Sequence, residues 1–185
     1  MRERLTVVAG IFCLTFAACL LGTNPAAAQQ PDSEFTTTDP AKKALVKILE
    51  DSSLEKNPEI DHFRHLCPGL GGYQVIHEGG DLRSWLNFKI GDKVTDLYAD
   101  TMGACPGQFP AKANDTVQWR GIRKDGRFVP YAVIYRMRSS SDDSKSTFDT
   151  LVVIKLDGEK SRVVGKASGK NANEKAEELA DKLCR

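Results

Sequence analysis

The sequence predicts an α+β fold, in which one antiparallel β-sheet of about six strands is packed by an N-terminal and a C-terminal amphipathic helix. Apolar residues recur at helical spacing near residues 40–50 and again near the end of the chain. Between them lie segments in which apolar and polar residues alternate, separated by short Gly- and Asp-containing turns. Short connections favour antiparallel neighbours. At 185 residues we expect one folded domain, residues 39–185.

Residues 1–28 have the pattern of a cleaved signal peptide. Arg2 and Arg4 precede an apolar run over residues 5–22, and Ala26-Ala27-Ala28 ends in the small-x-small pattern of a cleavage site. We therefore expect a protein that begins near Gln29 and works in the periplasm or is secreted. This location excludes most functions that need cytosolic ATP, NAD or nucleic acid.

Two alternatives to cleavage remain open. The apolar run could be retained as a membrane anchor, although it is short for a span and is closely followed by the cleavage pattern. Phe16-Ala17-Ala18-Cys19 loosely resembles a lipobox, which would anchor the protein by a lipid on Cys19. After cleavage, we expect no membrane span in the rest of the chain.

The N-terminal part of the domain is predicted to be a helix. Residues 29–38 are polar and are interpreted as a flexible lead. Asp39-Pro40 then has the form of a cap followed by proline in the first turn. A one-sided apolar stripe predicts an amphipathic helix that ends near Asp51, with the stripe formed by Ala41, Ala44, Leu45, Ile48 and Leu49.

The remainder of the chain reads as strands followed by a second helix. Tyr73–Val75 and Leu82–Phe88 predict two strands joined through Gly79-Gly80, and residues 89–115 are interpreted as irregular. Four further strands are predicted at 116–120, 128–138, 148–156 and 161–166. The C-terminal helix is predicted over 172–184, with Asn171 and Glu174 as a capping box.

Three cysteines remain after the signal peptide, namely Cys67, Cys105 and Cys184. In an oxidising compartment two of them are expected to pair. Cys67 with Cys105 is favoured because each opens a Cys-Pro-Gly tripeptide suited to a type II turn. Cys67 with Cys184 remains an alternative, and a free Cys184 could link two copies of the chain as a dimer.

Charge is unevenly distributed along a chain of formal net charge +1. Loss of residues 1–28 leaves no net charge, which argues against nucleic-acid binding. Residues 118–138 nevertheless contain six basic side chains against Asp125 alone, while residues 29–117 are acidic. Arginine forks and aromatic rings together suit an anionic ligand. The predicted binding residues of this basic aromatic hairpin are Trp119, Arg120, Arg123, Arg127, Tyr131 and Arg136.

The basic hairpin has two possible explanations. It could bind an anionic cell-envelope component or an envelope protein, or it could lie beside the acidic half of its own domain. The sequence contains no complete catalytic or cofactor motif, so we expect a non-catalytic accessory or binding protein without a cofactor. The alternatives are a small periplasmic hydrolase with a carboxylate site near Asp81, and a metal-binding protein that uses His62, His65 and His77.

Several short patterns occur in order between Cys67 and Asp181. They are Cys67-Pro68-Gly69-x-x-Gly72-Tyr73-x-Val75, Gly80-Asp81-Leu82-Arg83, Trp119-Arg120, Pro130-Tyr131-Ala132-x-Ile134-x-Arg136, Asn171-Ala172-Asn173 and Ala180-Asp181. In this order the chain resembles a group of small exported Gram-negative bacterial proteins to which no activity is assigned. The resemblance supports the expected fold and implies no mechanism.

Overall fold

The computed structural model describes residues 29–42, 44–51, 62–141, 143 and 145–184. The expected signal peptide lies outside the described residues. Within them the fold is mostly β, with two helices, α1 (Tyr98–Ala104) and α2 (Ala172–Asp181), and a 3₁₀ turn at Lys182–Cys184. The strands are β1 (Asp32–Thr37), β2 (Lys47–Asp51), β3 (His62–Cys67), β4 (Tyr73–Gly80), β5 (Arg83–Ile90), β6 (Lys93–Thr95), β7 (Gln108–Lys124), β8 (Arg127–Ser140), β9 (Thr147–Lys155) and β10 (Arg162–Ser168).

All ten described strands belong to one mixed sheet, so the prediction of about six antiparallel strands in an α+β fold is wrong. The strand order is β10-β9-β8-β7-β5-β4-β3-β2, with β1 paired to β7 and β6 paired to β5. Every pairing is antiparallel except that of β5 with β7, which are parallel at Arg83 and Ala111. The 17-residue strand β7 contacts β5 near its start and β1 further along, and so joins the two halves of the sheet.

The larger core contains inward-facing side chains from both halves of the sheet. Phe88 of β5 and Trp119 of β7 meet edge to face, with 5.9 Å between ring centroids. Tyr135 of β8 is also buried there and shares a 3.0 Å hydrogen bond with Thr101 of α1. Burial of a large apolar side chain contributes about 1.5–3 kcal/mol. These contacts fix the halves of the sheet and α1 against one another.

A smaller core lies on the opposite face of β8 and β9, where α2 packs. Ala176 and Ala180 of α2 are fully buried in it, together with Ala132, Ile134, Leu151, Val153 and Ala167 of the sheet. The helix begins at Ala172, as its pattern predicts, but the predicted capping box is wrong. Asn171 adopts a left-handed conformation with φ 60° and makes no side-chain cap hydrogen bond.

The predicted N-terminal helix is also wrong. Turns lie at residues 40–41 and 44–45, and residues 47–51 form the edge strand β2, which pairs with β3. The predicted stripe is largely exposed, since Leu45, Ile48 and Leu49 are 56%, 51% and 42% exposed, while Val46 between them is buried. The helical spacing gave a wrong prediction because the stripe finds no cover among the described residues, whereas β3 offers an edge for backbone hydrogen bonds.

The structure also differs from the sequence predictions in two segments expected to be irregular and in the position of one turn. The interval 29–38 contains β1, and the interval 89–115 contains β6, α1 and the first part of β7. The turn between β4 and β5 lies at Asp81 and Leu82, with φ 50° and 64°, rather than at Gly79-Gly80. Gly79 is instead needed within β4, because a Cβ there would lie 2.6 Å from the ring of Phe63.

Candidate functional site

Arg120 and Tyr131 of the predicted binding set contact the end of α2. The Nε and Nη2 groups of Arg120 donate to the two carboxylate oxygens of Asp181 at 2.9 and 2.6 Å. The Tyr131 hydroxyl donates to the same carboxylate at 2.7 Å. Burial and this hydrogen bond raise the pKa of Tyr131. Both side chains are thus used to hold the helix on the sheet.

Trp119 and Arg123 hold the first strand in place. Trp119 is fully buried, and its Nε1 donates to the Thr36 hydroxyl at 2.8 Å. Arg123 donates to the carboxylates of Asp32 at 3.0 Å and Glu34 at 2.6 Å. The acidic N-terminal half of the domain therefore neutralises part of the basic hairpin. Arg127 is exposed beside the Asp125-Gly126 turn at the tip of the hairpin.

Arg136 is the member of the predicted set that lies in a surface groove. Helix α2 covers the outer face of β8 as far as Ile134, and beyond it the same face bears Arg136 and Arg138. Lys112 of β7 lies opposite Arg138 in the strand register. We call the resulting depression of about 200 Å³ the basic groove, and it is lined by Lys112, Ala113, Asn114, Arg136 and Arg138.

Asp149 of β9 partly neutralises the basic groove. Arg138 donates to its two oxygens at 2.8 and 3.0 Å, and Arg136 donates at 3.2 Å. The hydrogen bonds from Arg138 hold the pKa of Asp149 below its usual value, so the carboxylate is ionised at neutral pH. With Lys112 counted, three cations face one carboxylate. The side chains of Arg136 and Arg138 are 34% and 63% exposed, which leaves their guanidinium groups accessible to a ligand.

The surface depression continues on both sides of Arg136. Toward β1 and α2 lies a depression of about 340 Å³, lined among others by Phe35, Asn114, Gln118 and Asn173. Toward β9 and β10 lies one of about 460 Å³, which includes Phe148 and Asp149. We call the first of these the amide groove. Phe35 is 62% exposed at its rim.

Asp81, proposed from the sequence as a hydrolase carboxylate, is at the tip of the β4–β5 turn. Its side chain is 85% exposed and lies 3.4 Å from Arg83. Arg83 also donates to the Tyr98 hydroxyl at 2.8 Å and stacks on the Phe109 ring, with 3.8 Å from its Cζ to the ring centroid. This arrangement resembles a structural cation–π contact. A carboxylate on a projecting turn is poorly placed to act on a substrate enclosed by the protein.

The histidines proposed as metal ligands lie on opposite faces of the sheet. Because successive side chains of a strand alternate, His62 and His65, three apart on β3, point to opposite faces. His62 lies 3.4 Å from Glu78 on one face, whereas His65 and His77 are buried on the other beside Phe63. In the described residues, no group of three His, Cys, Asp or Glu side chains is placed to hold a metal ion.

Burial alters the acid–base properties of His77, one of two buried histidines that lie side by side. The ring centroids of His65 and His77 lie 6.3 Å apart, and both residues are only 7% exposed. Burial, with the added effect of His65, lowers the pKa of His77 to about 4. His77 is therefore neutral over the physiological pH range.

Cys67, Cys105 and Cys184 are free thiols in this structure, so the predicted Cys67–Cys105 bridge is not formed in it. The two Cys-Pro-Gly tripeptides also differ in conformation. Gly107 has φ 92°, as a type II turn requires, whereas Gly69 is not in a left-handed conformation. Burial raises the pKa of both Cys67 and Cys105 to about 11, which disfavours the reactive thiolate. Cys184 is exposed.

Lys112, Asn114 and Arg138 line the basic groove but are not in the predicted binding set, although Arg138 is one of the six basic side chains of the hairpin. Lys112 and Asn114 fall in the interval 89–115, which was interpreted as irregular. Arg138 carried a usable signal, because it follows Arg136 by two residues in a predicted strand and so shares its face. Phe35 and Asn173 could not be placed, since their strand and helix meet the groove only through the tertiary fold.

The helices in the described part of the chain are too short or too polar to cross a membrane. Comparison of the chain with protein-family models, with curated proteins and with solved structures finds no match.

Proposed function

We propose that the protein is a non-catalytic accessory protein of the bacterial envelope or periplasm, which binds an anionic envelope component through the basic groove. The observation that carries the proposal is the clustering of Lys112, Arg136 and Arg138 on one sheet face, with Asp149 as their shared counter-charge. An incoming anionic group would gain charge-assisted hydrogen bonds from guanidinium groups that are already fixed by Asp149. Such a surface supports binding without any catalytic group.

The location rests on the sequence. The pattern of residues 1–28 is that of an exported protein, and an envelope offers abundant anionic polymers as ligands. Fewer basic side chains of the hairpin are available to a ligand than the sequence predicts. Arg120 and Arg123 are committed to carboxylates of the domain itself, so the ligand surface is centred on Arg136 rather than spread along the whole hairpin.

The test is retention on isolated cell envelopes. The double variant Arg136→Gln with Arg138→Gln should lose most of its retention, while its melting temperature stays within a few degrees of the wild type. The matched control is Lys124→Gln with Arg127→Gln, which removes the same charge from the same hairpin at its exposed tip, roughly 35 Å away. The control variant should be retained like the wild type.

Equal retention of the wild type and the groove variant would overturn the proposal. Equal loss in both variants would also contradict it, because it would show that retention depends on net charge alone.

A further inference from the structure

The amide groove contains polar and aromatic groups that are not needed to bind a simple anion. Its rim and walls carry Asn114 and Asn173, whose amides can donate to and accept from hydroxyl groups. Its floor contains Ile134 and Leu151, which are 2% and 6% exposed. Phe35 presents a largely bare ring beside these polar groups. Hydrogen-bonding amides, an apolar floor and an exposed ring occur together next to the cations of the basic groove.

Each of these features matches one part of a charged sugar chain. The hydroxyls of a sugar ring pair with amide side chains, and its C–H face packs on an aromatic ring. A ring carboxylate matches the guanidinium of Arg136, which lines both the amide groove and the basic groove. One ligand that extends from one groove into the other would therefore contact all three features.

The geometry points to an acidic glycan, a linear chain of uronate-bearing sugars, as the ligand of these two grooves. This inference rests on the proposed function and narrows it to one ligand class. An acidic peptide fits less well. The grooves lie on the face of β7 and β8, both of which already pair with a strand on each side, so a peptide could not add there as a further strand.

Gln118 and Glu177 position the wall of the amide groove. Gln118 Nε2 donates to Glu177 of α2 at 2.6 Å and to the Ser33 hydroxyl of β1 at 2.9 Å. This network ties together the strand that carries Phe35 and the helix that carries Asn173. The ring and the amide are thus held in fixed relative positions, which lowers the entropy cost of ligand binding.

The test is calorimetric titration of the protein with a linear hexamer of galacturonic acid. Its neutral methyl ester and an inorganic polyphosphate of similar charge serve as reference ligands. The acidic hexamer should bind saturably, and the methyl ester should bind at least ten-fold more weakly. Phe35→Ala should weaken hexamer binding about five-fold and leave polyphosphate binding unchanged, because only the sugar ring needs the phenyl group. The control variant Val94→Ala removes an exposed apolar side chain of β6, which is not among the residues that line either groove, and should bind like the wild type.

The outcomes separate the two proposals. Polyphosphate binding without hexamer binding would overturn the glycan inference and leave the proposed function standing. Hexamer binding that Phe35→Ala does not weaken would also overturn it, since charge alone would then explain the affinity. If neither ligand binds and envelope retention is also unaffected by loss of Arg136 and Arg138, both proposals fail.

Discussion

Asp181 accepts two hydrogen bonds from the guanidinium of Arg120, at 2.9 and 2.6 Å, and so joins the last turn of α2 to the C-terminal half of β7. The Arg120 side chain is only 10% exposed in this pair. Arg120 belongs to a segment rich in positive charge, but it stabilises the tertiary structure instead of binding a ligand. The same is true of Arg123, which holds β1. Arg120 and Arg123 are therefore structural, in contrast to Arg136 and Arg138 of the basic groove.

The Arg120–Asp181 pair predicts a stability effect. Asp181→Ala should lower the free energy of unfolding by about 2 kcal/mol, because it leaves a mostly buried guanidinium without its main partner. Urea unfolding measures the change. Arg127→Ala at the exposed hairpin tip is the control and should change stability by less than about 0.5 kcal/mol. Equal effects of the two substitutions would show that the pair does not hold α2.

His77 predicts a loss of stability in mild acid. Its pKa is about 4 in the folded protein and about 6.5 in an unfolded chain, so between these values the unfolded state binds more protons. The free energy of unfolding should therefore fall as pH drops from about 6.5 toward 4, by at most about 3 kcal/mol from this residue. Above about pH 7.5 the contribution should be constant.

Urea unfolding between pH 4.5 and 7.5 measures this dependence. His77→Leu should flatten it, whereas His62→Gln, at a partly exposed histidine on the other face, should leave most of it intact. A wild-type profile that is flat over this range would contradict the burial of His77.

Leu82 predicts a stabilising substitution. It adopts φ 64° in the β4–β5 turn with its side chain 55% exposed, so it bears left-handed strain without a matching gain in burial. Leu82→Gly should raise the free energy of unfolding by about 1 kcal/mol. Leu45 is similarly exposed but has no positive φ, and Leu45→Gly should be neutral or destabilising. A loss of stability in Leu82→Gly would mean that its side chain makes contacts which outweigh the strain.

The cysteines predict unequal reactivity. Cys67 and Cys105 have pKa values raised to about 11 by burial, whereas Cys184 is exposed. Brief labelling of the native protein with a maleimide, read out by mass spectrometry of peptides, should modify Cys184 much faster than the other two. Fast labelling of Cys67 would contradict its burial, and a peptide pair joined through Cys67 and Cys105 would restore the bridge that the sequence predicts.

The local sequence pattern was sufficient to predict β8 and β9, which border the basic groove, but not to predict the N-terminal region or the tertiary contacts. The apolar runs in 128–138 and 148–156 predicted β8 and β9 closely, because one face of each strand is buried in the larger core and the other, in part, in the smaller core. The stripe at Leu45, Ile48 and Leu49 predicted a helix that does not exist, since periodicity cannot show whether an apolar face finds a partner. The pairing of Arg120 with Asp181 spans 61 positions, and only the tertiary fold reveals it.

We expect anions to bind at Arg136 and Arg138 rather than wherever the surface is basic. Nuclear magnetic resonance titration of the isotope-labelled protein with a short inorganic polyphosphate tests it directly. Two sets of signals should shift together and saturate with one dissociation constant: the side-chain Nε–H signals of Arg136 and Arg138, and the backbone amide signals around Lys112. The backbone amide signals of Lys124 and Arg127 should not shift. Shifts of similar size at the hairpin tip and in the groove, without saturation, would contradict the claim.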